Sequence, residues 1–422
     1  MPPVRSAFGD DADVLRETDF QLLLLATMFP ILGTAIVSPV LDSVIEPFGT
    51  SPAGIGLMIS FFTAPAIFII PIAGLLADRY GRRPVLVAAL LLFGIGGASI
   101  VLTTDFRVVL ALRFVQGFGF GGLVPTITAS IGDMFDEGKE VTGQGLRMTV
   151  NGLSSTVFPL FAGALVAVGW RYPFLLYAAA VPVAVVVYLR FDEPTDTSED
   201  DQHSLEGGAY LKTLGDLVRR PLILSFVVGR SLPVAVWIGL FTYNSLVVVR
   251  VMGGTPFQAG VLVAVGSLVF ATAASQVGRI QSRFGGKFYP LVIANVALAL
   301  GFVGFLFSPG VYVAALWVAL AGAGFGISIS LYRSYLTELA PRSLRAGVVS
   351  LGAAGARVTA TAIPIVMGLI INRTTPMVGE GLAIQLAGIC AALVGGGGGL
   401  LCLFIAARSD PVTDESMQRV SD

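Results

Sequence analysis

The chain has 422 residues, of which 55% are hydrophobic and only 13% are charged, and its formal net charge is −1. This apolar content is more than the core of one soluble domain can bury, which excludes an ordinary water-soluble fold. The near-zero charge gives no basic surface for a nucleic-acid partner. The chain therefore needs the lipid bilayer as its solvent.

Twelve apolar stretches are each long enough to cross a membrane as a helix, which takes about 20 residues for a hydrocarbon core of about 30 Å. They cover residues 20–41, 54–76, 85–104, 107–130, 145–168, 172–190, 222–249, 257–277, 288–307, 311–336, 347–371 and 382–407. The sequence therefore predicts an all-α membrane protein with twelve transmembrane helices, numbered in chain order as spans 1 to 12.

The basic residues predict the orientation of these spans. If both termini are cytoplasmic, eighteen Lys and Arg residues fall on inner loops or ends and four fall on outer loops. This distribution follows the positive-inside rule. Residues 1–19 lack the short basic and apolar layout of a cleaved signal peptide, so we expect span 1 to be retained. We expect a multi-pass protein of the cell membrane with both termini in the cytoplasm.

Between spans 2 and 3 the chain carries a charged decapeptide instead of a featureless loop. Its residues are Gly74-Leu-Leu-Ala-Asp78-Arg79-Tyr80-Gly81-Arg82-Arg83. The glycines allow a tight turn and close helix approach, while the carboxylate and the forked guanidinium groups can form an ionic latch. The peptide matches every defining position of the G-x-x-x-D-R-x-G-R-R pattern, and it resembles the signature loop of the major facilitator superfamily.

This resemblance implies two pseudo-symmetric six-helix bundles, with the loop between spans 2 and 3 on the cytoplasmic side. It also implies that the loop helps to hold an inner gate shut, with Asp78 meeting the start of span 11 near Arg345 and Gly347. The predicted gating loop consists of Gly74, Asp78, Arg79, Gly81, Arg82 and Arg83. A weaker copy from Gly278 to Lys287 has Ser282 in place of the aspartate, so we expect it to latch less strongly.

Spans 1 and 4 carry two further motifs. Span 1 contains Gly33-Thr-Ala-Ile-Val-Ser-Pro39-Val-Leu41, and span 4 contains Arg113-Phe-Val-Gln116-Gly117-Phe-Gly119. The span 1 stretch resembles a motif of the twelve-helix drug:proton antiporters. The span 4 stretch resembles the R-x-x-Q-G-x-G motif of proton-coupled members of the superfamily. Arg113 would lie about 9 Å inside the membrane by helical rise. A charge at that depth costs about 2.5–3.5 kcal/mol unless it is paired or hydrated, so we interpret Arg113 as a functional residue.

The chain repeats itself at a shift of 205 residues. An acid, a proline and a glycine recur at this distance, as Asp133, Pro159 and Gly163 and again as Glu338, Pro364 and Gly368. Two similar bundles can rock about a site at their shared interface, as alternating access requires. Proline and glycine can also bend spans 5 and 11. The predicted bending residues are Gly152, Pro159, Gly163, Pro364 and Gly368, of which the first three resemble part of another antiporter motif.

The spans divide the chain into five parts. These are a cytoplasmic tail at 1–19, a bundle at 20–190, a cytoplasmic linker at 191–221, a bundle at 222–407 and a tail at 408–422. The linker begins with an acidic stretch that includes the lone histidine, His203. Leucines at helical spacing follow, which predicts a flexible tether and then an interfacial helix. Both cysteines lie in span 12, so neither a disulfide framework nor a zinc site is expected.

Seven polar residues deep in the spans are candidates for substrate binding or coupling: Arg113, Gln116, Asn151, Arg230, Tyr243, Asn244 and Arg357. Arg230 and Arg357 lie about 14–16 Å deep by helical rise, and no carboxylate falls near a predicted midplane. Their guanidinium groups suit a carboxylate or phosphate. Alternatively, Arg357 caps backbone carbonyls between helices and Arg230 faces a buried dipole. Arg333 is shallower, five residues before Glu338, and is expected to pair with acids at the inner end.

Three functional hypotheses follow. The motifs favour a monomeric secondary transporter that exports small organic compounds in exchange for protons. The arginines favour uptake or exchange of an organic anion, and a non-transporting receptor or sensor on the same fold is the third hypothesis. An ATP-driven pump is excluded for this chain because no G-x-x-x-x-G-K-[ST] phosphate loop is present. No His, Cys or acid cluster in the spans indicates an enzyme, a metal site or a cofactor.

Overall fold

The structure is a computed structural model that describes residues 14–193, 207–341 and 344–409. The side chains of Glu137 and of residues 207–211 are outside this description. The predicted N-terminal tail up to residue 13, most of the acidic linker with His203, and the predicted C-terminal tail from residue 410 therefore lie outside the described residues.

Twelve helices in the described part of the chain are long and apolar enough to cross a membrane, and no strand occurs there. These helices confirm the predicted all-α membrane fold, and they define spans 1 to 12 from here on. Their bounds are Thr18–Val40, Pro52–Tyr80, Arg82–Leu102, Phe106–Met134, Gly138–Val166, Tyr172–Arg190, Pro221–Val251, Pro256–Ser275, Phe288–Leu306, Val311–Leu339, Arg345–Val378 and Glu380–Arg408.

Spans 2 and 11 extend beyond their predicted ends at residues 76 and 371. Span 2 continues to Tyr80 and span 11 continues to Val378. Backbone hydrogen bonds carry a helix past its apolar stretch until a residue breaks the pattern. The breaks are Gly81, with φ of 95°, and Gly379, with φ of 81°, both in a region of backbone conformation that favours glycine.

The chain forms two compact units. The first contains Met1–Glu199 together with Thr255–Ala264, and the second contains Asp200–Gly254 and Val265–Asp422. Within the first unit, span 4 packs against spans 2 and 3. Within the second unit, span 10 packs against span 9, and span 7 packs against span 11. The start of span 8 thus belongs with the first six spans, and the rest of span 8 belongs with the second unit.

Equivalent helix contacts in the two units confirm the 205-residue repeat. A Cβ added to Gly119 would lie 2.5 Å from both the Ala89 carbonyl oxygen and the Phe93 nitrogen. A Cβ added to Gly324 would lie 2.5 Å from the Ala294 carbonyl oxygen and the Leu298 nitrogen. All three positions in the second unit follow their counterparts by 205 residues. Glycine at these positions lets two helix backbones touch, as small residues do in membrane bundles.

The helix predicted after the acidic linker is present at Gly207–Val218. Its Leu214 and Leu217 are buried in an apolar cluster of the second unit that includes Phe226 of span 7 and Leu336 of span 10. This packing attaches the helix to the second unit through its apolar face.

We predict that Gly119→Ala destabilises the protein by about 1–3 kcal/mol, because the new methyl group meets backbone atoms of span 3 that cannot move independently. Gly145→Ala is the matched control, since a Cβ there would meet no atom within 4 Å and alanine favours the helix. Thermal unfolding of the purified variants in detergent measures both effects. Equal stabilities of the two variants would contradict the close contact at Gly119.

Candidate functional site

The charged loop between spans 2 and 3 contains an ion network that joins three helices. Arg82 at the start of span 3 donates from Nη1 to Asp78 Oδ1 at 2.6 Å and from Nε to Asp133 Oδ2 of span 4 at 2.7 Å. The Arg82 side chain is 16% exposed, whereas those of Asp133 and Asp78 are 27% and 63% exposed. Arg82 is therefore anchored by the more buried Asp133, and Asp78 is the accessible member of the network.

The same loop is attached to the end of span 6. The Glu193 carboxylate accepts hydrogen bonds from the backbone nitrogen atoms of Arg82 and, at 3.1 Å, Arg83. These nitrogen atoms open span 3, where the helix dipole and unpaired N–H groups favour an anion. The Arg83 guanidinium lies over the Tyr188 ring, 5.2 Å from its centroid, and donates to the Tyr188 carbonyl oxygen.

The two glycines of the loop differ in their surroundings. A Cβ on Gly81 would lie 2.7 Å from the Glu193 carboxyl carbon, so the loop conformation and the Glu193 contact both favour glycine. Gly74 has no described atom within 4 Å of a Cβ position. The close helix approach expected at Gly74 is therefore wrong for the described residues. The Arg79 guanidinium carbon lies over the Tyr80 ring, 5.5 Å from its centroid.

The second unit contains an ion pair related to the Arg82–Asp133 pair by the repeat. Lys287 pairs with Glu338, and each follows its counterpart by 205 residues. Lys287 also donates to Ser334 Oγ at 2.8 Å. Ser334 and Glu338 are four residues apart and share one helix face, whereas Arg333 is five residues from Glu338 and faces elsewhere. The expected pairing of Arg333 with acids at this end is therefore wrong within the described residues.

Arg113 lies at the centre of the first unit with no exposed surface. Its Nη2 donates to the Gly33 carbonyl of span 1 at 2.7 Å, and its Nε donates to the Met58 carbonyl of span 2 at 3.1 Å. Its Nη1 donates to Gln116 Oε1 at 2.6 Å and to the Tyr177 hydroxyl of span 6 at 3.5 Å. The charge is thus held entirely by neutral oxygen atoms from four spans.

Two aromatic side chains complete this cluster. The Phe62 ring lies under the Arg113 guanidinium at 4.4 Å from its centroid, a cation–π contact. The Tyr177 hydroxyl donates in turn to the Leu32 carbonyl at 3.2 Å. Sequence reasoning missed Tyr177. The signal was that a tyrosine inside a membrane helix needs a hydrogen-bond partner, but Arg113 is 64 residues away in the sequence. A substrate contact by Arg113 or Gln116 stays a prediction.

The polar candidates of the second unit lie in two places along spans 7 and 11. Arg230 donates from Nη1 to the Val349 carbonyl of span 11 at 2.8 Å. Further along span 7, the Tyr243 hydroxyl donates to the Pro364 carbonyl at 3.2 Å, and Asn244 is fully buried beside it. Arg357 is half-buried on span 11. The bond to the Val349 carbonyl supports the alternative in which Arg230 faces a buried dipole. Substrate binding by Arg230, Tyr243, Asn244 and Arg357 stays a prediction.

Span 5 places its predicted bending residues against the start of span 8, within the first unit. A Cβ on Gly163 would lie 2.7 Å from the Pro256 carbonyl oxygen, and Gly260 packs in the same way on the Pro159 backbone. The helix runs through Pro159 without a break, as the helix of span 11 runs through Pro364. Asn151 and Gly152 are half-buried on span 5, and Gly368 is buried on span 11. Bending at these positions stays a prediction.

The model of one protein family, described as Major Facilitator Superfamily, matches residues 23–364. The bacillibactin exporter of Bacillus subtilis is 25% identical over 315 residues, which cover 73% of this chain and 78% of the exporter. The 4-hydroxybenzoate transporter PcaK of Pseudomonas aeruginosa is 32% identical over 171 residues, 39% of this chain and 36% of PcaK.

A crystal structure of a bacterial homologue of the human lysosomal transporter Spinster, inward-facing and occupied, has the same fold. Its TM-score is 0.77 at 17% identity, over 94% of this chain and 98% of that one.

We predict that Arg113→Lys lowers the stability of the protein by about 1–3 kcal/mol. One ammonium group cannot replace a guanidinium fork that reaches four spans, so buried carbonyl groups lose their hydrogen-bond donors. Arg107→Lys is the matched control, because Arg107 is exposed on the same helix. Thermal unfolding in detergent compares the two variants. Unchanged stability of Arg113→Lys would show that charge alone, without fork geometry, suffices at this position.

Proposed function

Because this chain belongs to the Major Facilitator Superfamily, we propose that it is a monomeric secondary transporter that exports small organic compounds by alternating access in exchange for protons. Export is supported by the bacillibactin exporter, whose similarity extends over most of both chains. Proton coupling is supported by the R-x-x-Q-G-x-G motif at Arg113. Both termini lie in the cytoplasm in this proposal, since the basic excess then follows the positive-inside rule.

The network of Asp78, Arg82 and Asp133 is the observation that carries this proposal. A gate that opens and closes in every transport cycle needs contacts that form in the closed state but cost little free energy to break. Ion pairs of exposed side chains contribute about 0–1 kcal/mol, which suits a contact that must break repeatedly. The accessible Asp78 has this property, while Asp133 keeps Arg82 in place.

In the proposed mechanism Asp78 is the part of the loop that closes against the start of span 11, near Arg345 and Gly347. A carboxylate has about four lone-pair sites, so Asp78 can keep its bond to Arg82 and still accept from a helix start. Glu193 and Tyr188 fix the first turn of span 3, so that the loop presents Asp78 from a rigid support.

We predict that Asp78→Asn reduces transport at least about tenfold while the protein remains folded and inserted, because the amide loses the charge that holds both Arg82 and the gate. Asp136→Asn is the matched control, since Asp136 is exposed just after span 4 and its side chain caps no helix. Transport by both variants is measured in proteoliposomes, with thermal unfolding as the test of folding. Full transport by Asp78→Asn would contradict the role of Asp78.

We predict that a pH gradient drives benzoate or tetraphenylphosphonium faster across the membrane of proteoliposomes that contain the protein than across empty liposomes, and that a protonophore abolishes this difference. Empty liposomes measure leakage of each probe. Movement of a probe that a protonophore leaves unchanged would contradict proton coupling. If neither probe moves with or without a gradient, the proposal of transport fails for both charge classes and the receptor or sensor hypothesis replaces it.

A further inference from the structure

The described residues of the second unit include fewer acids than arginines and lysines. Its described residues include three acids, and each pairs with a cation other than Arg230 or Arg333. Asp216 pairs with Arg219 at 3.8 Å, Glu380 pairs with Arg250 at 2.6 Å, and Glu338 pairs with Lys287. Within the described part of this unit, no carboxylate remains to neutralise Arg230 or Arg333.

Close packing of spans 7 and 10 brings these two arginines to the same level. Gly229 precedes Arg230 in the chain and Tyr332 precedes Arg333. A Cβ on Gly229 would lie 2.8 Å from the Tyr332 ring, so these two residues pack against each other between spans 7 and 10. One turn away, the rings of Phe226 and Tyr335 stack with centroids 4.4 Å apart and an interplanar angle of 24°. Arg230 and Arg333 each follow a residue of this contact in the chain, so the contact places the two arginines next to each other.

Arg230 is held in a defined orientation. Its Nη1 donates to the Val349 carbonyl at 2.8 Å, and its Cδ would lie 3.1 Å from a Cβ on Gly352. Its Nε is buried without a hydrogen-bond partner among the described residues. A buried donor of this kind is unfavourable until an acceptor reaches it. Arg333, by contrast, is exposed, so a solute can approach the pair from its side.

We propose that Arg230 and Arg333 bind the carboxylate of an organic solute, so that the compounds this protein exports are organic anions. Two neighbouring cations repel each other, and an anion between them removes the repulsion. A guanidinium fork matches the two oxygen atoms of a carboxylate, and the unpaired Nε of Arg230 supplies one of the donors. The role in export depends on the proposed function, whereas the binding itself does not.

This site differs from the grouping of Arg230 with Arg357 that the sequence suggested. Arg357 lies eight residues beyond Val349 on span 11, which is about 12 Å along a helix. Arg333 replaces Arg357 in the proposed site, since Glu338 pairs with Lys287 and does not neutralise Arg333. The resulting site combines one anchored arginine and one accessible arginine on spans 7 and 10.

The test measures the apparent melting temperature of the purified full-length protein in detergent against benzoate, benzamide, inorganic phosphate and short-chain phosphatidylglycerol. A ligand that binds the native state raises this temperature in proportion to the logarithm of its concentration. We expect benzoate to stabilise the wild type and the uncharged benzamide to have no effect. Arg333→Gln should weaken benzoate binding at least about tenfold, since a charge-assisted hydrogen bond is lost.

Two further variants separate this site from general effects. Arg219→Gln removes the same charge from a side chain that is 86% exposed in the same unit, and it should leave benzoate binding unchanged. Arg230→Gln should also weaken binding, and its melting temperature without ligand reports the loss of the Val349 bond. Arg333 makes no ion pair among the described residues, so Arg333→Gln removes the charge from the site without breaking an ion pair of the protein.

Benzoate binding that is absent in the wild type or equal in Arg333→Gln would overturn the site. Stabilisation by phosphate or phosphatidylglycerol but not by benzoate would also overturn it, in favour of a phosphate or lipid-headgroup site. The assay contains no gradient and measures binding alone, so the absence of benzoate binding would not contradict the proposed export of other compounds. Benzoate binding without any transport in proteoliposomes would instead overturn the proposed function and leave the site.

Discussion

The first unit depends on one constraint, which is that a charge buried among membrane helices must have its hydrogen-bond partners supplied by the helices themselves. Arg113 meets this constraint with backbone carbonyls of spans 1 and 2, an amide of span 4 and a hydroxyl of span 6. Because these partners come from four spans, the guanidinium group fixes the positions of the helices around it. The unit can then move as a body, as alternating access requires.

The second unit has the same framework without this central charge. Val318 stands 205 residues after Arg113, and it is buried and apolar. The glycine contacts and the loop ion pair occur in both units, 205 residues apart. The charges that differ are Arg113 in one unit and Arg230 and Arg333 in the other, and we propose that they distinguish the two halves in function.

Much of the fold could be predicted from the sequence, because hydropathy over about 20 residues identifies a membrane helix with no knowledge of its neighbours. Glycine and acid positions at a fixed shift likewise identified the repeat. The partners of Arg82 and Arg113 were not predicted, since Asp133, Glu193 and Tyr177 are distant in sequence and become neighbours through folding. Applying the 205-residue shift to Arg82 and Asp133 would have identified the Lys287–Glu338 pair and prevented the wrong partner for Arg333.

Charge pairing differs between the two loops, and in our proposal this difference combines gating with recognition in one architecture. In the first unit Arg82 is shared between two carboxylates, so the cation is neutralised and the spare acceptors of Asp78 remain for a gate. In the second unit the repeat replaces this arrangement with a single pair, Lys287 and Glu338, and no second acid joins it in the part of the unit that the structure describes. The positive charge that remains near Arg333 has no internal partner among the described residues. In the proposed mechanism this charge favours a ligand that brings the missing negative charge. Neutralisation by the ligand would then make the loaded unit easier to move within a low-dielectric membrane than the empty one.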